Sequence, residues 1–279
     1  MKILVIDKYN SLRDLAQMDM YNVLRKNYEV TFANPKNLMD FINKGEYDYL
    51  YLGIYHPWCD FKSWKLLFDT NTKPILIDQA DNEGFMARKE TKMDYEGNCI
   101  LLSRYLPNEK LSIFWKEKLY LLPWYINPDR FKTQEKSIDI AFVCTININN
   151  RIGTNRKELS NKILKYCEDN GLSYKIGEFW GDNYKNIITA SKAMIIDGSR
   201  YCLTQKYIEA ALSNCLIIGE KPTSPPNEFI TINLEGINSN NIDKIYENGT
   251  MSYNRTYALE NFANEKKFLD NFNYILSNF

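Results

Sequence analysis

An asparagine-rich loop in the middle of the chain carries arginines that suit an anion. Residues 138–144 are apolar except for Asp139 and predict a buried strand, and the loop that follows contains Arg151. Asn155 and Glu158 stand at capping-box spacing, so a helix is predicted to begin at Asn155. Arg156 then lies in its first turn, where the helix dipole disfavours a cation. A bound diphosphate would offset this, because backbone N–H groups and arginines both suit phosphate oxygens. The alternative is that these basic residues are simply solvated.

A second segment that could carry chemistry follows the predicted strand at residues 193–197. The chain turns in the loop after it, which contains Gly198, Ser199 and Arg200. Thr204 is placed to cap the next predicted helix, at residues 205–214. Helical spacing puts Glu209 on the polar face of that helix, so we expect it to lie outside the core. At the carboxyl edge of a sheet it could accept a ribose hydroxyl, and otherwise it is an ordinary surface carboxylate.

Three side chains in the first half are candidates for a general base that takes a proton from an attacking hydroxyl. Asp78 ends the predicted strand at residues 74–78, and Asp81 follows closely. His56 comes after another predicted strand and titrates in the useful pH range. Carboxylates and histidine commonly serve this purpose. The structural alternatives are a helix cap or turn for the aspartates and a packed loop residue for His56.

Alternating apolar and amphipathic segments predict the elements that hold these residues. In the first half the predicted strands are residues 3–7, 28–33, 47–54, 74–78, 98–103 and 119–123. A second cycle has predicted strands at residues 138–144, 174–177, 193–197 and 215–219. Strands that alternate with helices and are apolar on both faces are typical of a mostly parallel, doubly wound sheet. We therefore predict two α/β domains and a last helix, from about residue 256 to 278, that packs back on them.

Composition restricts the class of protein. The 279 residues are 44% hydrophobic and 25% charged, which favours globular domains over disorder. Lysine plus arginine and aspartate plus glutamate both total 35, so the total shows no basic excess of the kind that nucleic-acid binding favours. Six scattered cysteines and one histidine give no zinc-ligand pattern and favour a reducing compartment. Without a signal-peptide core or a long apolar run, we expect a cytoplasmic protein without a membrane span.

Two segments resemble GT-B glycosyltransferases. In residues 192–220 an arginine-bearing loop leads into YIEAALSNC and then a strand, and residues 120–131, YLLPWYINPDRF, resemble an interdomain element of that fold. The chain is most similar to the spore-maturation type of glycosyltransferase-like domain and more distantly to bacteriophage DNA β-glucosyltransferase. The resemblance implies two Rossmann-like domains facing a cleft. They would be an acceptor-side domain (1–125) and a nucleotide-sugar donor domain (138–254), with a linker (126–137) and a terminal helix (255–279).

The resemblance implies transfer of a sugar from a nucleotide-sugar, such as a UDP-sugar, to an acceptor hydroxyl. It places the donor diphosphate against Arg151 and Arg156, with Arg200 as a further candidate, and the ribose against Glu209. The loop from Gly198 to Thr204 would wrap the phosphates and the sugar.

The same resemblance bears on the mechanism. Retaining members carry an additional glutamate where this sequence has Tyr201, which favours an inverting reaction. The phage enzyme has a carboxylate at a similar strand end, so Asp78 or Asp81 is the implied base and His56 the rival. No Asp-x-Asp pair of the kind that holds a divalent metal is present. We therefore expect no metal and no cofactor, with the nucleotide-sugar as co-substrate.

Other functions stay open at this point. A nucleotide- or sugar-binding protein of the same fold could keep the donor site and lack the base. A DNA-modifying glucosyltransferase of the phage type is less favoured by the neutral total charge than an enzyme acting on a glycan or protein. A dinucleotide-binding oxidoreductase would need Gly-x-Gly-x-x-Gly after the first strand, where this chain has IDKYNSL.

Overall fold

The structure is a computed structural model that describes residues 1–7, 15–34, 46–53, 73–78, 99–104, 118–144, 151–197, 204–222, 228–248 and 250–278. The chain forms two compact units, one of Met1–Tyr125 with Glu265–Phe279 and one of Ile126–Asn264. Residues 126–137, expected to be a linker, are thus part of the second unit. They pack locally, because Asn127 caps a short 3-10 helix, Pro128–Phe131, whose Phe131 side chain is completely buried.

Among the described residues, six parallel strands form the sheet of the first unit in the order β2-β1-β3-β4-β5-β6. Their bounds are β1 Lys2–Ile6, β2 Glu29–Ala33, β3 Tyr49–Leu52, β4 Ile75–Asp78, β5 Cys99–Ser103 and β6 Leu119–Leu121. Helix α1, Leu15–Asn27, connects β1 to β2. The central strands are buried except at Tyr49, the first residue of β3, as expected for a parallel sheet covered on both faces.

In the described part of the second unit, four parallel strands form a separate sheet in the order β10-β9-β7-β8. The strands are β7 Ile138–Val143, β8 Tyr174–Gly177, β9 Ser191–Ile196 and β10 Leu216–Gly219. The helices are α2 Arg151–Asp169, α3 Gly181–Thr189, α4 Gln205–Leu212, α5 Ile242–Glu247 and α6 Thr250–Asn261. Apolar side chains of β7, β9 and β10 form a core with α2. The predicted parallel α/β organisation is confirmed in both units.

Helix α2 begins earlier than the sequence predicted. The capping-box pattern placed the first turn at Asn155, but the backbone is already helical from Arg151. Local capping signals and helix propensities are weak predictors that tertiary context overrides. Arg156 therefore lies in the second turn, and the dipole argument for an anion at the first turn does not apply to it. The predicted helix end is confirmed, because Gly171 adopts a positive φ of 66° just after α2.

The C-terminal residues form two helices instead of the single helix that was predicted. Helix α6 ends at Asn261, and a further helix, α7, spans Glu265–Ser277. The backbone N–H groups of Phe262 and Ala263 both donate to the carbonyl oxygen of Ala258, which ends α6. The helical spacing of the apolar residues continues across this break, so the sequence pattern did not reveal the break.

Helix α7 belongs to the first unit and lies against α1. Tyr28, just after α1, donates a hydrogen bond to Asn273 Oδ1 at 2.6 Å, and its ring lies 5.8 Å from that of Phe272. Lys26 and Glu265 form an exposed ion pair at 3.1 Å beside this contact. The prediction that the C-terminal helix packs back on the fold is confirmed for the first unit.

Candidate functional site

The carboxyl ends of β7 and β9 meet where the strand order of the second sheet reverses. The chain passes from β7 to β8 on one side and then to β9 and β10 on the other. In open α/β sheets, ligands bind outside the carboxyl ends of the strands at such a switch point. Cys144 directly follows β7 and Asp197 directly follows β9. The residues around these two positions therefore define the candidate site.

Arg156 reaches this edge from α2 and is held there by Asp197. Its Nε donates to Asp197 Oδ2 at 2.6 Å, and the two side chains are only 16% and 9% exposed. Ser160 Oγ donates to the Arg156 carbonyl one turn further along α2 at 2.8 Å. The terminal amino groups of Arg156 make no hydrogen bond to the described part of the chain. The guanidinium is thus fixed at Nε with donors left for a ligand.

Lys206 brings a second cation to the same edge. Its Nζ donates to the carbonyl oxygen of Val143, the last residue of β7. Burial lowers the pKa of Lys206; the charge of Asp197 acts against this, whereas the charge of Arg156 adds to it. Sequence reasoning missed this residue as a site residue. The signal that was available is its position in the first turn of a helix that follows a strand end.

The N-terminus of α4 also lies at this edge. Thr204 holds the N-cap position as expected, but its side chain makes no capping hydrogen bond. Its Oγ1 is buried and has no hydrogen-bond partner among the residues that the structure describes. The first N–H groups of a helix have no partner within the helix, and the dipole is positive at this end. Helix α4 therefore adds a partial positive charge beside Lys206.

Glu209 is buried, which corrects the expectation that it lies outside the core. Its side chain lies on α4 and the residue is only 4% exposed. Tyr184 of α3 donates a hydrogen bond to Glu209 Oε2. The prediction failed because α4 is covered on several sides, by α3, α6 and its own sheet, so its polar face meets a neighbouring helix instead of solvent.

Asp78, the described candidate for a general base, lies inside a polar cluster of the first unit. Both Asp78 and Arg104 are 0% exposed and form an ion pair. Tyr51 donates to Asp78 Oδ2 at 2.6 Å, and Gln17 Nε2 lies 3.3 Å from the same oxygen. Arg104 also donates to the carbonyl oxygen of Leu122 at 2.9 Å. Asp78 is thus the buried ion-pair partner of Arg104, and its carboxylate is closed to solvent.

Several predicted site residues lie outside what the structure describes. These are Asp81, His56, Gly198, Ser199 and Arg200. The backbone of Arg151 begins α2, but its side chain is not described. Of the predicted donor-binding residues, the structure therefore brings Arg156 and Thr204 to one edge, and it adds Lys206 and Asp197 to them.

The described ranges contain neither a metal-ligand cluster nor a membrane-spanning helix. No group of three or more His, Cys, Asp or Glu side chains there is arranged to hold a metal ion. None of the helices described has both the length and the apolar composition needed to cross a membrane.

We expect three buried tyrosines to stay protonated until the protein unfolds in alkali. Burial, reinforced by nearby carboxylates, raises the pKa of Tyr21, Tyr51 and Tyr184 well above the ordinary value of 10. Because the folded-state pKa exceeds the unfolded one, the stability linked to these groups is complete below pH 10 and is lost as the pH rises further.

The measurement is a titration of tyrosinate absorbance alongside circular dichroism. Tyr51→Phe should remove one group whose ionisation coincides with unfolding. The matched control is Tyr274→Phe, whose side chain is largely exposed. Complete ionisation of all tyrosines before any loss of dichroism would contradict the expectation.

Comparison with known proteins defines the class of fold. No protein-family model matches the chain, and no curated protein matches it in sequence. Solved structures do match, and they show that the chain has the GT-B glycosyltransferase-like fold. The resemblance stated from the sequence is thereby confirmed for the fold.

Three similar structures illustrate the match. The Anabaena protein HepE, in complex with UDP and glucose, has 10% identity and a TM-score of 0.62, and the match covers 100% of both chains. Sucrose-phosphate synthase of Thermosynechococcus elongatus has 12% identity and a TM-score of 0.63 over 97% of both chains. Arabidopsis thaliana UGT89C1, complexed with UDP-L-rhamnose, has 10% identity and a TM-score of 0.52 over 96% of this chain and 97% of the other.

Proposed function

We propose that this chain is a glycosyltransferase that uses a nucleotide-sugar donor, with a UDP-sugar as the first choice. The observation that carries the proposal is the pair of cations, Arg156 and Lys206, at the switch point of the second sheet. Cationic side chains beside the N–H groups of a helix N-terminus suit a diphosphate. The similar structures support this choice, since HepE is solved with UDP-glucose and UGT89C1 with UDP-L-rhamnose.

In this proposal the second unit binds the diphosphate of the donor. Arg156 and Lys206 contact the phosphates, and Arg151 and Arg200 are further cations for the same group. Positive charges fixed at the departing diphosphate stabilise the transition state electrostatically. The sequence has no Asp-x-Asp pair. We therefore propose that these side chains neutralise the departing diphosphate and that no metal is needed.

The loop and the helix that follows it complete the proposed donor site. Gly198 and Ser199 wrap the phosphates, and Thr204, whose hydroxyl has no partner in the described part of the chain, contributes at the start of α4. Glu209 accepts a hydrogen bond from the ribose in this proposal, and Tyr184 holds the carboxylate by donating to Oε2. A buried carboxylate held in this way is preorganised for one sugar hydroxyl.

The first unit supplies the general base. The ion pair with Arg104 makes Asp78 the poorest candidate, because a base must reach the proton that it removes. Asp81 and His56 are the better ones. With Tyr201 in place of a glutamate, we propose inversion: the acceptor oxygen attacks the anomeric carbon, the bond to the diphosphate breaks, and the base takes the hydroxyl proton.

One observation favours a second candidate function, binding of a nucleotide-sugar without transfer. The base candidate that the structure describes, Asp78, is engaged in an internal ion pair. A protein with the donor site and no working base would bind the donor and leave it intact. The proposed enzyme and this binding protein differ in whether UDP is released.

The test begins with thermal unfolding of the full chain against a panel of nucleotide-sugars and free nucleotides. A ligand that binds only the folded state stabilises it by about 2.7 kcal/mol at a hundredfold excess over Kd. We expect UDP-sugars to give the largest shifts. If no nucleotide or nucleotide-sugar stabilises the protein, the proposal is wrong.

Release of UDP from the best donor then separates the two functions. If the chain is an enzyme, Asp81→Asn or His56→Gln should lower the rate by on the order of 100-fold with little change in UDP affinity. The control is Asp182→Asn, on the exposed face of α3, with its side chain 87% exposed. Stabilisation without any release of UDP favours the binding protein.

A further inference from the structure

We propose that Asp197 is a positioning residue that aims the guanidinium of Arg156 at the donor diphosphate. The inference rests on the proposed function, since it assumes that a diphosphate occupies the switch point. It adds a residue that the sequence did not mark as part of the site. Asp197 directly follows β9 and lies 41 residues from Arg156 in sequence, so only the folded chain brings them together.

The contact geometry carries the first step. Asp197 Oδ2 accepts from Nε of Arg156 at 2.6 Å, which occupies the side of the guanidinium nearest its stem. The two terminal amino groups, which form the far edge of the planar group, have no partner in the described chain. That far edge presents two N–H donors side by side, and it can bind phosphate through two parallel hydrogen bonds.

The burial of the pair carries the second step. Arg156 is 16% exposed and Asp197 is 9% exposed, so the arginine is not a freely moving surface side chain. A free arginine loses considerable rotamer freedom when it binds a ligand, and a side chain already fixed in the bound geometry loses less. Asp197 therefore favours phosphate binding by fixing Arg156 before the ligand arrives.

The charge of Asp197 makes this role distinguishable from a simple electrostatic one. A carboxylate near a diphosphate repels it, so by charge alone Asp197 would weaken binding. With Arg156 and Lys206 as the two cations, Asp197 reduces the local charge from two positive to one. Asp197 can still favour diphosphate binding, because the gain from orienting Arg156 outweighs the repulsion between the carboxylate and the phosphates. If orientation dominates, removal of the Asp197 side chain weakens diphosphate binding, and if repulsion dominates, removal strengthens it.

The experiment measures UDP and uridine binding by calorimetry for the full-length wild type and a set of variants. Asp197→Ala removes both the charge and the acceptor, and we expect it to weaken UDP binding by about tenfold. Asp197→Asn keeps an oxygen that can accept from Nε, and it should bind UDP within about threefold of wild type. Uridine lacks phosphate, so its affinity should change by less than about twofold in both variants.

A double variant and a control complete the design. In an Arg156→Ala background, Asp197→Ala should cause no further loss, because the two residues act as one unit. Asp182→Ala, an exposed aspartate on α3, is the matched control. Thermal unfolding of each variant shows whether the fold persists. A loss of uridine affinity equal to the loss of UDP affinity would indicate a purely structural role.

The outcomes separate failure of the inference from failure of the proposed function. If Asp197→Ala binds UDP as well as wild type or more tightly while Arg156→Ala binds it weakly, the positioning role is wrong and the donor site stands. If wild type does not bind UDP at all, the proposed function fails first and the inference falls with it.

Discussion

Replacing Arg104 by methionine is expected to lower the free energy of unfolding by about 3–5 kcal/mol. The carboxylate of Asp78 would then remain in a site closed to solvent without the guanidinium that balances its charge, beside the neutral donors Tyr51 and Gln17. A buried charge left without its partner destabilises a protein far more than an exposed one. The measurement is urea unfolding followed by circular dichroism and by fluorescence, since Trp124 lies 4.6 Å from the Arg104 guanidinium.

A double variant separates the effect of charge from that of packing. Arg104→Met combined with Asp78→Leu removes both charges, and apolar replacement of a buried pair is often neutral or stabilising. We therefore expect the double variant to recover most of the lost stability. Arg25→Met, an exposed arginine on α1, is the matched control and should change stability by less than about 0.5 kcal/mol. If the Arg104→Met protein were as stable as this control, Arg104 would not be needed to balance the buried charge of Asp78.

The second large effect is expected at the donor site. Arg156→Ala should weaken UDP binding by about 1.5–3 kcal/mol, which corresponds to roughly 10- to 150-fold in Kd. The loss comes from hydrogen bonds between a charged donor and phosphate, at an edge of the sheet where the Arg156 side chain is largely buried. Lys206→Met should also weaken UDP binding. Both changes should be smaller at high salt, because salt screens the attraction between the charges.

The control for this prediction is the neighbouring residue on the same helix. Lys157→Ala removes an exposed cation one position from Arg156 and should leave UDP affinity within about twofold of wild type. Calorimetry with UDP and with uridine checks the result, since Arg156→Ala should weaken the binding of UDP and leave the binding of uridine, which has no phosphate, unchanged. Equal effects of Arg156→Ala and Lys157→Ala would mean that general surface charge, and not a built site, attracts the nucleotide.

The balance of charges over the whole chain gives no hint of this site. The 35 basic and 35 acidic residues cancel in the total. Two cations, Arg156 and Lys206, nevertheless gather at one strand edge, with Asp197 as the acidic partner. A net charge describes long-range attraction to partners and says nothing about how charges are grouped. For this reason composition disfavoured nucleic acid and left a phosphate site open.

The sequence by itself determined the order of the elements. Short apolar runs with amphipathic segments between them predicted every strand that the structure describes, within a few residues. The pattern is clearest in the central strands, because a strand buried on both faces must be apolar along its length. It also placed Thr204 at the start of α4 and Gly171 at the end of α2, since cap positions depend on local backbone geometry. These features depend on residues close together in the chain.

Only the tertiary structure decided which polar side chains meet and which are buried. Glu209 lies on the polar face of its own helix, yet α3 covers that face and Tyr184 donates a hydrogen bond to the Glu209 carboxylate. Lys206 and Val143 are 63 residues apart, so no local pattern could pair them. A helix has several sides, and its own sequence does not state which of them a neighbour will cover. The choice follows from how strands and helices far apart in the chain are brought to one edge of a sheet.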